Sequence, residues 1–71
     1  MIIDIYFVLH QVTKVRAMFD FDAQGPDELG FRKGDIIRVT QRVDDSWWRG
    51  ELSGNEGMFP VTYVERITND K

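Results

Sequence analysis

The chain has 71 residues, 42% of them hydrophobic and 30% charged, which suits one small soluble domain with a modest core and is too apolar for disorder. Twelve acids against nine bases leave a net charge of −3, which speaks against a phosphate-backbone binder and for a basic partner. There is no cysteine and one histidine, so neither a disulfide framework nor a thiolate or multi-histidine metal site can be assembled, and no apolar run approaches the ~20 residues that span a bilayer.

Residues 1–13 form an apolar opening in which Ile3, Ile5, Phe7 and Leu9 alternate with Asp4, Tyr6, Val8 and His10. The alternation suits a strand with one strongly apolar face, and without a basic start or a small-residue cleavage site it does not read as a secretory signal. Three readings stand side by side: an extra strand laid on the domain, an interdomain or alternative-start segment, or a stretch foreign to the protein. Exposed, residues 2–9 are a pairing hazard and a candidate for self-association.

From Lys14 the texture changes, with Val15, Ala17, Phe19 and Phe21 at the period of a half-buried strand and Arg16, Met18, Asp20 and Asp22 between them. Asp22 to Gly30 is an acidic, turn-rich loop bent by Gly25 and Pro26. Leu29 and Phe31 resume the alternation, and Arg32, Lys33, Gly34 and Asp35 predict a second turn in which Gly34 supplies positive φ. Ile36 to Thr40 is rich in β-branched residues and predicts a strand; Gln41 to Ser46 predicts a polar connection carrying Asp44 and Asp45.

Trp47 to Leu52 predicts the next strand, and its two adjacent indoles must point to opposite faces. Either one packs on the sheet while the other stands near solvent beside carboxylates, or both are partly buried packing residues, the usual place of large aromatics. Ser53 to Gly57 predicts a hairpin turn, Met58 and Phe59 a strand that Pro60 ends, Val61 to Tyr63 a single tight turn, Val64 to Ile67 a last short strand, and residues 68–71 a polar tail. Short strands with turn signals between them and no helical stripe predict an all-β fold, a small five-stranded barrel.

No nucleophile and base pair can be drawn together from these residues, so the chain is read as no enzyme, with no cofactor and no metal. Aromatic residues do accumulate beside turn prolines and acids. Such surfaces take ligands in polyproline II conformation, whose ridges fit between flat rings, and acids beside an indole hold an arginine by charge-assisted hydrogen bonds and stacking.

Residues 14–67 resemble a Src homology 3 (SH3) domain from end to end. Ala17, Met18, Phe19, Asp20, Phe21 is similar to the family's Ala-Leu-Tyr-Asp-Tyr signature with both tyrosines replaced by phenylalanine. Glu28 to Asp35 is similar to its diverging turn, Trp47 and Trp48 to its tryptophan pair, and Gly57 to Pro60 with Thr62, Tyr63 and Val64 to its closing segment, Thr62 standing where asparagine is usual. The texture lies nearest the SH3 domains of endophilins and of SH2/SH3 adaptors. The resemblance implies an SH3-type barrel with a short 3-10 turn before the last strand, and a cytoplasmic, non-catalytic module of a signalling, endocytic or cytoskeletal adaptor.

It further implies that Phe19, Phe21, Trp47, Pro60 and Tyr63 line pockets for a proline-rich PxxP segment. Asp22, Asp27 and Glu28 in the RT loop, with Asp44 and Asp45 in the n-Src loop, then read a flanking Arg or Lys of the partner, while Trp48 packs on the sheet. The competing expectation is an autoinhibited or structural domain whose groove or edge is occupied by the opening segment, in cis or in a dimer. A nucleic-acid reader is disfavoured, because the acids around Trp47 repel phosphate.

Overall fold

The computed structural model describes residues 13–67. Five antiparallel strands form one sheet in the order β4-β3-β2-β1-β5, with β1 Lys14–Ala17, β2 Ile36–Arg42, β3 Trp47–Leu52, β4 Asn55–Pro60 and β5 Val64–Ile67; a 3-10 turn, Val61–Tyr63, precedes β5. Sequence alternation decides which face each strand buries. Val15, Ala17, Ile37, Phe59 and Val64 point inward, and with Leu29 and Phe31 from the β1–β2 connection they make the buried core. Full burial of a side chain such as Phe59 or Ile37 contributes about 1.5–3 kcal/mol each. The expectations for residues 1–12 and for the tail at 68–71 lie outside the described residues.

Three local differences from the sequence reading have physical causes. The alternation through Phe21 does not make one long strand: β1 ends at Ala17, whose N–H donates to the Asp35 carbonyl and whose carbonyl accepts from Gly34 N–H, so the turn at 32–35 closes over the strand end. Gly34 has the positive φ this turn needs, +95°. Phe21 rejoins regular pairing only in an antiparallel bridge to Phe31, with N–H···O distances of 2.9 and 2.8 Å.

β2 runs two residues past Thr40, because a bulge between Val39 and Gln41 lets Gln41 and Arg42 pair with Arg49 and Trp48. The turn between β3 and β4 is shorter than Ser53 to Gly57. Ser53 and Gly54 alone carry positive φ, +54° and +83°, the geometry of a two-residue hairpin turn, so Asn55 already faces Leu52 in the ladder.

One close approach joins the β1–β2 connection to the barrel. Leu29 N–H donates to the Met58 carbonyl and Met58 N–H to the Asp27 carbonyl, both at 2.8 Å, covering the β4 edge. Gly57 permits this, since a Cβ there would lie 2.7 Å from the Glu28 carbonyl carbon and 2.8 Å from Leu29 N.

Candidate functional site

Strand alternation separates the tryptophans. Trp48 lies opposite Phe59 in the β3–β4 ladder, packs against the core, and carries the Arg42 guanidinium 5.0 Å above its ring. Trp47 lies opposite Pro60 and turns to the other side. There it meets Phe21, at 6.3 Å between centroids and 69° between planes.

From Phe21 a row of edge-on rings continues: Phe21 to Tyr63 at 5.4 Å and 73°, then Tyr63 to Phe19 at 6.0 Å and 79°. Segments far apart in the chain are locked beneath it by backbone hydrogen bonds. Met18 N–H donates to the Tyr63 carbonyl at 2.8 Å, and Val61 N–H to the Ser46 carbonyl at 2.9 Å. All five aromatic and proline residues expected from sequence therefore stand together. Phe21 and Tyr63 also pack against the core, whereas Phe19 is 56% exposed, an apolar ring at the end of the row with one face left to solvent.

The acids expected to read a basic residue are not equivalent. Asp22 follows Phe21 in extended chain and points the other way, where Arg32 Nη1 holds it at 2.9 Å and approaches Asp20 at 3.7 Å. This ion pair borders an open cavity of about 460 Å³ lined by Phe21, Asp22, Phe31, Arg32 and Asp35, so Phe21 is shared between it and the ring row. Glu28 Oε1 accepts Gln24 N–H at 2.7 Å across the loop tip. Asp44 Oδ1 accepts both Ser46 N–H and Trp47 N–H at 2.8 Å. Among the described residues, only the Asp27 and Asp45 carboxylates of these five acids have no hydrogen-bond or ion-pair partner.

Sequence reasoning missed Arg32 as the partner of Asp22, since the two are ten positions apart across an irregular loop with no periodic signal. It also missed Asp44 as a turn-former, although an Asp two and three residues ahead of the N–H groups it accepts from is a readable local signal. The described residues contain no group of three or more His, Cys, Asp or Glu able to hold a metal ion. What they form is a ring-lined surface flanked by acids.

The family model described as SH3 domain matches residues 16–61. The chain is 54% identical over 56 residues to the class E vacuolar protein-sorting machinery protein HSE1 of Phaeosphaeria nodorum, covering 79% of this chain and 9% of that protein. It is 51% identical over 57 residues to HSE1 of Kluyveromyces lactis, covering 80% of this chain and 11% of that protein.

The chain thus spans about a tenth of the length of these curated relatives. Among solved structures, the C-terminal SH3 domain of myosin IB from Entamoeba histolytica, bound to an EhFP10(GEF) peptide, superposes with a TM-score of 0.78 at 40% identity. That match covers 82% of this chain and 97% of the other. A second structure of the same myosin domain gives 0.81 at 38%, covering 86% and 94%.

Proposed function

The chain belongs to the SH3 domain family of non-catalytic peptide-binding modules, and from that premise we propose that its ring row is the groove for a proline-rich PxxP segment flanked by Arg or Lys. The observation that carries this reading is the continuous row from Phe19 through Tyr63 and Phe21 to Trp47, with Pro60 opposite Trp47. A polyproline II ligand is extended before it binds and loses little entropy on docking, so edge-on rings with gaps between them suit its prolyl ridges. Phe19 and Phe21 offer ring surface without hydroxyls, which leaves Tyr63 and Trp47 as the row's side-chain hydrogen-bonding groups.

The ligand's basic residue is read beside Trp47 chiefly by Asp27 and Asp45, whose carboxylates have no partner among the described residues, while Asp22, Glu28 and Asp44 are already engaged within the chain. In its parent protein the domain recruits such segments to a cytoplasmic adaptor of vacuolar or endosomal protein sorting, a reading supported by its likeness to HSE1.

Tryptophan fluorescence titrated with peptides tests this. A PxxP peptide with a terminal arginine should shift the emission and saturate, the same peptide without arginine should bind more weakly, and a basic peptide without PxxP weakest of all. No response from any of them in a folded protein overturns the reading of an open groove. A second reading, occupation of the groove or an edge by residues 2–9 in cis or in a dimer, rests on the alternating Ile3, Ile5, Phe7 and Leu9. Sedimentation over a concentration range tests it: a monomer that binds peptide at full stoichiometry eliminates it.

A further inference from the structure

Asp44 and Asp45 are neighbours in one loop with the same side chain, and their surroundings divide them. Asp44 turns back on its own chain: Oδ1 accepts Ser46 N–H and Trp47 N–H, each at 2.8 Å, while Asp44 N–H donates to the Trp47 carbonyl at 3.1 Å. Trp47 is therefore bound through both its N–H and its carbonyl to the same residue. Asp45, between them, makes no such bond among the described residues.

The next link is Ser46, whose carbonyl accepts Val61 N–H at 2.9 Å, so the loop that Asp44 closes also anchors the 3-10 turn bearing Tyr63. A carboxylate accepting two backbone N–H groups forms charge-assisted bonds, stronger than neutral ones. Its useful property here is the acceptor oxygen. A ligand arginine needs the charge.

Resting on the groove reading above, we infer that Asp44 is a positioning residue, which fixes Trp47 at the start of β3 and holds the indole edge-on to Phe21, while Asp45 supplies the carboxylate that meets the ligand's basic residue. The two acids then fail in different ways. Loss of the Asp44 acceptor loosens Trp47 and weakens every ligand that uses the ring row, whether or not it carries arginine. Loss of the Asp45 charge weakens only ligands that carry one. Asparagine separates these cases, because it keeps an Oδ1 acceptor and removes the charge.

The test compares Asp44→Asn, Asp44→Ala and Asp45→Asn against two peptides, PxxP with a terminal arginine and the same peptide with that arginine replaced by alanine, at about 0.05 M salt, where exposed charges still interact across ~10 Å or more. Asp44→Asn should bind both peptides within about twofold of the unaltered chain, and Asp44→Ala should lose about three- to tenfold on both alike, the range for one or two net hydrogen bonds. Asp45→Asn should lose up to about fivefold on the arginine peptide alone, the range of an exposed ion pair.

The inference is overturned if Asp44→Asn loses affinity only for the arginine peptide, or if Asp44→Ala leaves the alanine peptide unaffected. If Asp44→Ala does not fold, Asp44→Ser, which restores a shorter acceptor, decides between the same outcomes. Should the unaltered chain bind both peptides equally, the reading of a basic residue fails while the Asp44 result still stands or falls on the alanine peptide. Should neither peptide bind the unaltered chain, the groove reading itself fails, and the Trp47 indole N–H resonance, displaced in Asp44→Ala and held in Asp44→Asn, decides the positioning role alone.

Discussion

Gly57→Ala puts the joint between the barrel and the β1–β2 connection under direct load. An added Cβ would stand 2.7 Å from the Glu28 carbonyl carbon, 2.8 Å from Leu29 N and 2.9 Å from the Asp27 carbonyl oxygen, all of them backbone atoms. Carbon contacts settle at about 3.5–4.0 Å, so the loop must move away by roughly 0.8 Å or more. The two hydrogen bonds that fasten it, Leu29 N–H to Met58 and Met58 N–H to Asp27, start at 2.8 Å and would lengthen beyond the ordinary range.

Overpacking of this kind costs about 1–3 kcal/mol, and the two bonds, weakened rather than lost, together add about 1 kcal/mol. A loss of about 2–4 kcal/mol is expected by urea unfolding followed through tryptophan fluorescence. At about 4–8 °C per kcal/mol for a domain of this size, the melting point should fall by roughly 10–30 °C. Because Asp27 and Glu28 ride on the displaced segment, whatever protein stays folded should also lose preference for an arginine-bearing peptide. Gly25→Ala is the control: nothing lies within 4 Å of its Cβ, and the change should stay within about 0.5 kcal/mol. A Gly57→Ala variant as stable as the Gly25 control would refute the close-packing account of this joint.

Other outcomes follow from the same geometry. Trp47→Ala should lose peptide binding by more than about tenfold, as expected for a hot-spot aromatic, while the unfolding midpoint moves little; an unfolded variant would return Trp47 to the core. Arg32→Gln releases Asp22 and Asp20 from their internal cation, and should tighten binding of an arginine peptide up to about fivefold at low salt with the gain fading as salt rises, measured by titration at two ionic strengths. Ser53→Gly removes a side chain held at φ +54° and should stabilise the hairpin by about 0.5–1 kcal/mol, read from the urea midpoint.

Much of this molecule was legible from residue pattern. The bounds of β3 and β5, the turn at Val61 to Tyr63 and the split of the two indoles all follow from period-two alternation and from what Pro60 forbids. Where the pattern misled, backbone hydrogen bonding had overridden side-chain alternation. Phe19 and Phe21 continue the rhythm of Val15 and Ala17, yet the turn at 32–35 takes both polar groups of Ala17 and ends the strand there.

The bulge at Thr40 and the two-residue turn at Ser53 and Gly54 depend on local φ and register, which composition does not encode. In the site, ring positions were readable because aromatics next to turn prolines are conspicuous. The internal use of Asp22 by Arg32 and of Asp44 by the Trp47 backbone was not, because an acid's partner across a loop depends on three-dimensional approach rather than spacing.

The central claim, that the row from Phe19 to Trp47 is the peptide groove, meets its most direct test in the two indole N–H resonances during titration of a ¹⁵N-labelled chain with an arginine-bearing PxxP peptide. The account predicts a saturating shift of the Trp47 indole together with the backbone amides of Phe19, Phe21 and Tyr63, and little change at Trp48 beneath Arg42. A shift confined to Trp48 or to the amides of the outer sheet face, with Trp47 unmoved at saturation, would contradict it.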